Sequence, residues 1–199
     1  FKDAAAFQAV YKTPHGAPEL LPLFTCALPE HVSGIPGPHV GHPGCFATSM
    51  LAGMVPMLKL GLCEAQIYAT GITGSTGAGR TPTATTHHPE RHSNLFAYNP
   101  LRPHSGPFAR GIHMTLQARL KSPQTSDQLR DQLAGFYAGC EFVRVVDGLP
   151  RVKDVAGSNY CHIGVESSGN SVAVMVTIDN LIKGAAGGAV QWMNRLLGL

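Results

Sequence analysis

A single cysteine stands on a glycine-loosened turn directly before an apolar run: Gly41-His42-Pro43-Gly44-Cys45-Phe46-Ala47-Thr48-Ser49. Met50, Leu51, Met54, Val55 and Leu58 then recur three and four apart, which predicts a helix with one buried face. The first backbone N–H groups of such a helix have no partner within it, and the positive end of its dipole lies among them. Both favour thiolate over thiol at Cys45, so the spacing predicts a nucleophile with a pKa below the ordinary ~8.5. Gly44 removes a Cβ where a substrate would approach. The competing reading is structural, because free cysteine is among the most buried residue types.

Two further clusters invite chemistry. Gly74-Ser75-Thr76-Gly77-Ala78-Gly79-Arg80-Thr81 matches the phosphate-loop pattern except that Arg80 replaces the lysine. A planar guanidinium does not replace a compact ammonium there, and no later strand ends in an obvious magnesium-binding aspartate. Two readings remain: a flexible surface turn, or a glycine loop against a flat ligand or phosphate, whose missing side chains let backbone donors approach. His88 and His92, preceded by His87, are spaced i and i+4 with Glu90 nearby, but Pro89 interrupts them and the pattern is not HExxH. No metal is expected, and His87, His88 and His92 read as loop residues that bond locally or contact substrate.

The elements that must position these groups follow from periodicity. The 199 residues are 44% apolar and 14% charged, which suits one domain, or a domain plus an extension, with a real core. A net charge of +3 with scattered Lys and Arg is no nucleic-acid footprint. Apolar runs are too short for a membrane span, and no secretory signal opens the chain. Five separated cysteines without a CxxC pair fit reduced thiols in a cytoplasmic enzyme.

Ala65 to Thr70 reads as a strand entering the glycine loop Gly71 to Arg80, and Thr81 to Pro107 reads as a long loop. Ile112 to Leu120 alternates as a half-buried strand. Thr125 or Ser126 caps a helix with Leu129, Leu133 and Phe136 inward. Glu141 to Val146 and Val172 to Ile178 read as strands, the second central and apolar on both faces. A last helix from about Lys183 should bury Ala186, Val190, Met193 and Leu197. The expected class is α+β, a mixed sheet with helices on one face.

The residues carry a family resemblance. His42-Pro43-Gly44-Cys45-Phe46-Ala47-Thr48 resembles the nucleophile motif of the N-acetyl-γ-glutamyl-phosphate reductase family of semialdehyde dehydrogenases. Thr73 to Arg80 resembles its serine/glycine loop. Leu28-Pro29-Glu30, Ala97-Tyr98-Asn99, Arg110-Gly111-Ile112, Gly157-Ser158-Asn159-Tyr160 and Ile178 to Gly187 fall in the family's order. His87-His88-Pro89-Glu90-Arg91 also resembles the N-acetyl-aminoadipyl-phosphate reductases of lysine synthesis, which differ by one substrate methylene.

The resemblance implies the C-terminal fold of glyceraldehyde-phosphate dehydrogenase over residues 1–199, as a catalytic and dimerisation domain. It implies reduction of an acyl phosphate to a semialdehyde in arginine biosynthesis, with Cys45 forming a thioester, NADP as cofactor, and a cytoplasmic homodimer or homotetramer. In these terms Arg110 grips the substrate's carboxylate or phosphate, and Ser75 and His88 contact substrate. Gly74, Gly77 and Asn180 contact the cofactor, Asn180 by an amide-to-amide pairing. Two departures stand out. The family's Rossmann domain is largely absent ahead of Phe1, and a family segment carrying its acid/base histidine is missing between Arg102 and Pro103. A non-catalytic dimerising scaffold is the alternative from another class.

Overall fold

From Ile112 to Leu120 buried and accessible side chains alternate, and that segment, a strand along its whole length, organises the sheet. A computed structural model describes residues 3–34, 37–97 and 103–199. Its elements run α1 Ala4–Tyr11, β1 Thr25–Cys26, β2 Val40–Gly41, α2 Cys45–Lys59, β3 Cys63–Thr73, α3 His88–Arg91 and β4 Phe96–Ala97. They continue β5 His104–Ser105, β6 Ile112–Leu120, α4 Ser126–Phe136, β7 Val143–Val145, β8 Cys161–Ser168, β9 Ser171–Ile178 and α5 Gly187–Leu197. Of the residues quoted for the family resemblance, Tyr98, Asn99 and Arg102 lie outside the described residues, as does Phe1.

Seven strands form one mixed sheet in the order β4-β5-β3-β6-β9-β8-β7. β3, β6, β9 and β8 pair antiparallel, whereas β5 runs parallel to β3 and β7 parallel to β8. The small β1 and β2 pair in parallel apart from this sheet. Helix α2 lies on one face: a Cβ on its Gly53 would strike Leu116 and Val176. Leu129 and Leu133 of α4 are buried in the same core. Thr125 caps α4 through a reciprocal bond with Gln128, as its position before the apolar periodicity predicts.

The opposite face carries Tyr68, Thr70, Thr115, Gln117 and Ala173, brought side by side by the register. Pro150 closes on Gly164 at its far end, while Tyr68 remains 62% exposed. Helices therefore cover one side of the sheet, the architecture expected. Along β9 that other face bears Ala173, Met175 and Thr177, the one polar side chain of the strand's Val172 to Ile178 run.

Several expectations are corrected. Gly71, Ile72 and Thr73 belong to β3, not to the loop, because they continue its pairing with Met114, His113 and Ile112 of β6. The stretch Thr81 to Pro107 holds α3, β4 and β5, pieces too short to show periodicity. β8 has no counterpart in the sequence reading, although Ile163 and Val165 alternate toward a turn at Gly169 with φ +56°. The predicted face of α5 is outward, with Val190 50%, Met193 49% and Leu197 65% exposed. Gly184, Gly188 and Trp192 face inward instead. A π-helical turn at Ile182–Ala186 precedes α5, and the buried positions Gly184, Gly188 and Trp192 recur four apart on the face turned to His42 and Ala27.

Candidate active site

Gly44 is extended and caps α2, so Cys45 is the first helical residue. The turn is pinned from both ends: Thr48 N donates to Gly44 O at 2.8 Å and Thr48 Oγ1 to Pro43 O at 3.1 Å. Close packing holds it from behind. A Cβ on Gly184 would lie 2.5 Å from that of Cys45, and one on Gly188 would overlap the His42 ring. His42 Nε2 lies 3.2 Å from Lys183 O. The Lys183 ammonium, itself buried, pairs with buried Glu30 and donates to Gln191 Oε1 at 2.8 Å. Three motifs far apart in sequence, around Glu30, Cys45 and Lys183, thus form one packed unit.

The glycine loop approaches Cys45 from the sheet side. It is laced to residues 108–111: Gly74 N donates to Gly111 O at 2.9 Å, Ser75 N to Phe108 O at 3.0 Å and Thr76 N to Ala109 O at 3.0 Å. Gly74 must be glycine here, since a Cβ would meet the Ala109 carbonyl. Between loop and cysteine lies a cavity of about 230 Å³ lined by Cys45, Phe46, Gly74, Ser75, Gly77 and Arg91, among others. Complete ligand sites span ~300–1,000 Å³, so this cavity accommodates the reacting end of a ligand. Ser75–Ala78 is a short 3-10 turn with no helix after it, which removes the phosphate-loop reading.

Of the residues singled out from sequence, Cys45, Gly74, Ser75 and Gly77 meet at this cavity. Three others do not line it. Arg110 gives its fork to Asp179, with Nε and Nη2 each 3.0 Å from a carboxylate oxygen. Asp179 is fully buried and also accepts from Gly157, Leu181 and Ile182 N–H. Burial works to raise its carboxyl, but Arg110 and these N–H groups hold it below the ordinary value. Arg110 thus orients the Asp179 turn with the edge expected to grip a substrate.

Asn180 is likewise committed. Its Oδ1 accepts from Gly111 N at 2.7 Å and its Nδ2 donates to Thr76 Oγ1 at 3.2 Å, bracing the glycine loop from behind. Its Nδ2 lies 3.5 Å from where a Cβ on Gly77 would sit. His88 is exposed, its ring 5.4 Å from that of His92. Among the described residues no three His, Cys, Asp or Glu side chains gather to hold a metal.

The residue that sequence reasoning missed is Arg91, which lines the cavity and is only 8% exposed. It closes the motif His87-His88-Pro89-Glu90-Arg91 quoted for the family resemblance, which was the one signal that could have singled it out. Its inward position depends on β5, whose Ser105 hydroxyl accepts from Nη1 at 2.7 Å.

Electrostatics at Cys45 also differ from expectation. Burial pushes the thiol up, and the backbone N–H groups of Phe46 and Cys45 lower it by less. The helix start alone therefore does not depress this pKa, because desolvation outweighs two partial charges.

The sequence matches the family described as "Semialdehyde dehydrogenase, dimerisation domain" over residues 45–102 and 100–180. It is 37% identical to the N-acetyl-gamma-glutamyl-phosphate reductase of Thermoanaerobacter sp. (strain X514), covering 80% of this chain and 55% of that protein. It is also 37% identical to the enzyme of the same name from Symbiobacterium thermophilum, covering 100% and 66%. The chain thus spans between half and two thirds of these relatives. Among solved structures, aspartate semialdehyde dehydrogenase II from Vibrio cholerae superposes with a TM-score of 0.65 at 14% identity, covering 88% and 68%. A probable aspartate-semialdehyde dehydrogenase from Pseudomonas aeruginosa gives 0.63 at 14%, covering 88% and 69%. These likenesses establish the fold.

Proposed function

The chain belongs to the semialdehyde dehydrogenase family through its dimerisation domain, and from that premise we propose that it catalyses NADPH-dependent reduction of N-acetyl-γ-glutamyl phosphate. The observation that carries this reading is the position of Cys45, at the first residue of α2 and facing a cavity floored by the glycine loop. Its curated relatives of that name support the substrate. They favour neither the aminoadipyl branch nor a non-catalytic scaffold.

In this mechanism the Cys45 thiolate attacks the acyl carbon, an S–C bond forms, and the C–O bond to phosphate breaks with its electron pair leaving on phosphate. The unpaired N–H groups at the start of α2 stabilise the oxyanion of the tetrahedral intermediate. When bound, the nicotinamide cofactor supplies the hydride that reduces the thioester to the aldehyde. Cys45 then leaves as thiolate and is ready for the next acyl group. Gly74 and Gly77 hold the loop close enough for a flat ring to lie against backbone, Ser75 contributes a hydroxyl at the cavity wall, and Asn180 keeps the loop in place. Arg110, through Asp179, fixes the turn that precedes Lys183 and Gly184.

The 199 residues are assigned as the catalytic and dimerisation domain. The two stretches of the family match meet at residues 100–102, which supports a segment of the family falling between Arg102 and Pro103. Two copies associate through the sheet face that helices leave open. No helix among the described residues is long and apolar enough to cross a membrane, and a cytoplasmic location goes with the reaction assigned.

The test is phosphate-dependent reduction of NADP by N-acetylglutamate semialdehyde, the reverse reaction, in wild type and Cys45→Ser. Turnover in wild type with loss of at least about 10³-fold in the variant is expected for a missing nucleophile. Near-normal turnover in the variant would remove the mechanism, and equal kcat/KM for the aminoadipate analogue would remove the substrate.

A further inference from the structure

Arg91 is a buried cation with no counter-ion among the described residues. Its guanidinium donates from Nη1 to Ser105 Oγ at 2.7 Å, and from Nη2 to Gly106 O and, at 3.5 Å, to Phe108 O. Its guanidinium carbon lies 5.9 Å from the centre of the Phe96 ring. All of these partners are neutral. No carboxylate among the described residues pairs with it. The neighbouring residues 98–102, Tyr-Asn-Pro-Leu-Arg, contain no acid either. Arg110, Arg130 and Arg151 each hold an aspartate, so the chain does not lack carboxylates for its arginines.

Removing a permanent charge from water without a counter-ion is costly, and neutral acceptors offset that only in part. Such a charge is retained where a ligand completes it. The ligand must reach the cavity shared by Arg91, Cys45 and Ser75. Three N–H donations account for the bonds described, and a guanidinium carries five N–H groups, so donors remain for a planar or tetrahedral oxyanion.

We propose that Arg91 binds an oxyanion of the substrate, carboxylate or phosphoryl, next to Cys45. This rests on reading the cavity as an acyl-phosphate site. Ser105 and the carbonyls of Gly106 and Phe108 are positioning groups that hold the guanidinium plane. Arg91 therefore takes the part that sequence reasoning gave to Arg110.

The experiment measures alkylation of Cys45 by iodoacetamide, followed by peptide mass spectrometry so that the other cysteines do not interfere. Inorganic phosphate and N-acetylglutamate, which carries carboxylates but no phosphoryl group, are the two protecting probes. Wild type should be protected by at least one of them. Arg91→Gln should require at least about tenfold more of that probe, as expected for a lost charge-assisted bond. Arg91→Lys, which keeps the charge and loses the fork, should fall between. Protection shifted for phosphate alone assigns the phosphoryl group, and protection shifted for N-acetylglutamate alone assigns the carboxylate.

Folding of each variant is read from the fluorescence of Trp192, the single tryptophan, buried against Ala27 O. If Arg91→Gln unfolds, Arg91→Lys decides. Unchanged protection in a folded variant, or no protection of wild type by either probe, overturns the proposal. Loss of protection in a protein that shows no reductase turnover keeps the oxyanion site and discards the reaction.

Discussion

Cys45 combines a helix start, which favours thiolate, with burial, which opposes it, and burial is the larger of the two. Its alkylation rate should therefore keep rising with pH beyond the ordinary thiol value of ~8.5. A rate that levels off near pH 7 would show that burial is not the larger of the two effects. Exposed Cys26 serves as the internal reference in the same digest. At this scale the glycine turn made the cysteine legible from sequence, because Gly44 and the apolar run after Cys45 are neighbours in the chain. Its proton affinity was not legible, since desolvation depends on what the rest of the fold places around the sulfur.

Helix α2 is seated by the π turn behind it, and Gly184 is the point of contact. Gly184→Ala sets a methyl against Cys45 Cβ, so α2 or the turn must move. Overpacking of this kind costs about 1–3 kcal/mol, whereas a displacement of the nucleophile by 1 Å costs about 10² in rate. The expected outcome is a modest fall in urea midpoint with a disproportionate loss of kcat. Equal proportions would mean that the contact serves packing only.

The Glu30–Lys183 pair ties the same turn to the chain before β2. Burial works to raise the Glu30 carboxyl, but Lys183 and Gln191 hold it below 4.5. A depressed carboxylate contributes stability that is fully present above about pH 4.5 and is lost as pH falls through its folded-state value. Glu30→Gln should flatten that acid-side slope and cost about 3–5 kcal/mol at pH 7, because Lys183 then stays buried without its counter-charge. Urea titrations from pH 3 to 7 measure both, and an unchanged slope would place the acid sensitivity at Asp179 instead. The motif Leu28-Pro29-Glu30 and the run Ile178 to Gly187 were visible as separate strings. Their meeting was not, for the pairing spans 153 positions in sequence.

At the scale of the molecule, the sheet has helices on one face and the row of Tyr68, Thr70, Thr115, Gln117 and Ala173 on the other. A tyrosine 62% exposed in the middle of a strand is what a partner would cover. Association through this face should bury more than ~1,000 Å². Sedimentation at micromolar concentration should give at least a dimer, and Tyr68→Arg, which places a second cation near Arg119, should shift it toward monomer. A dimer untouched by that substitution would move the interface to the outward face of α5, where Val190, Met193 and Leu197 lie exposed.

The sequence alone determined the parts whose logic is local. β6 and α4 follow from periodicity and a capping box, and Cys45 follows from the turn before an apolar helix. The α+β class follows from the order of these pieces. Only the tertiary structure decided which charges are free. From the chain, the family resemblance gave Arg110 the anion and left Arg91 as one residue of a motif. Folding places Asp179 against Arg110 and neutral oxygens against Arg91. Whether a guanidinium is satisfied depends on partners 69 positions away in one case and 14 in the other. Hydrophobic spacing along the chain does not encode such partners, since they are set by which strands pair and in what register.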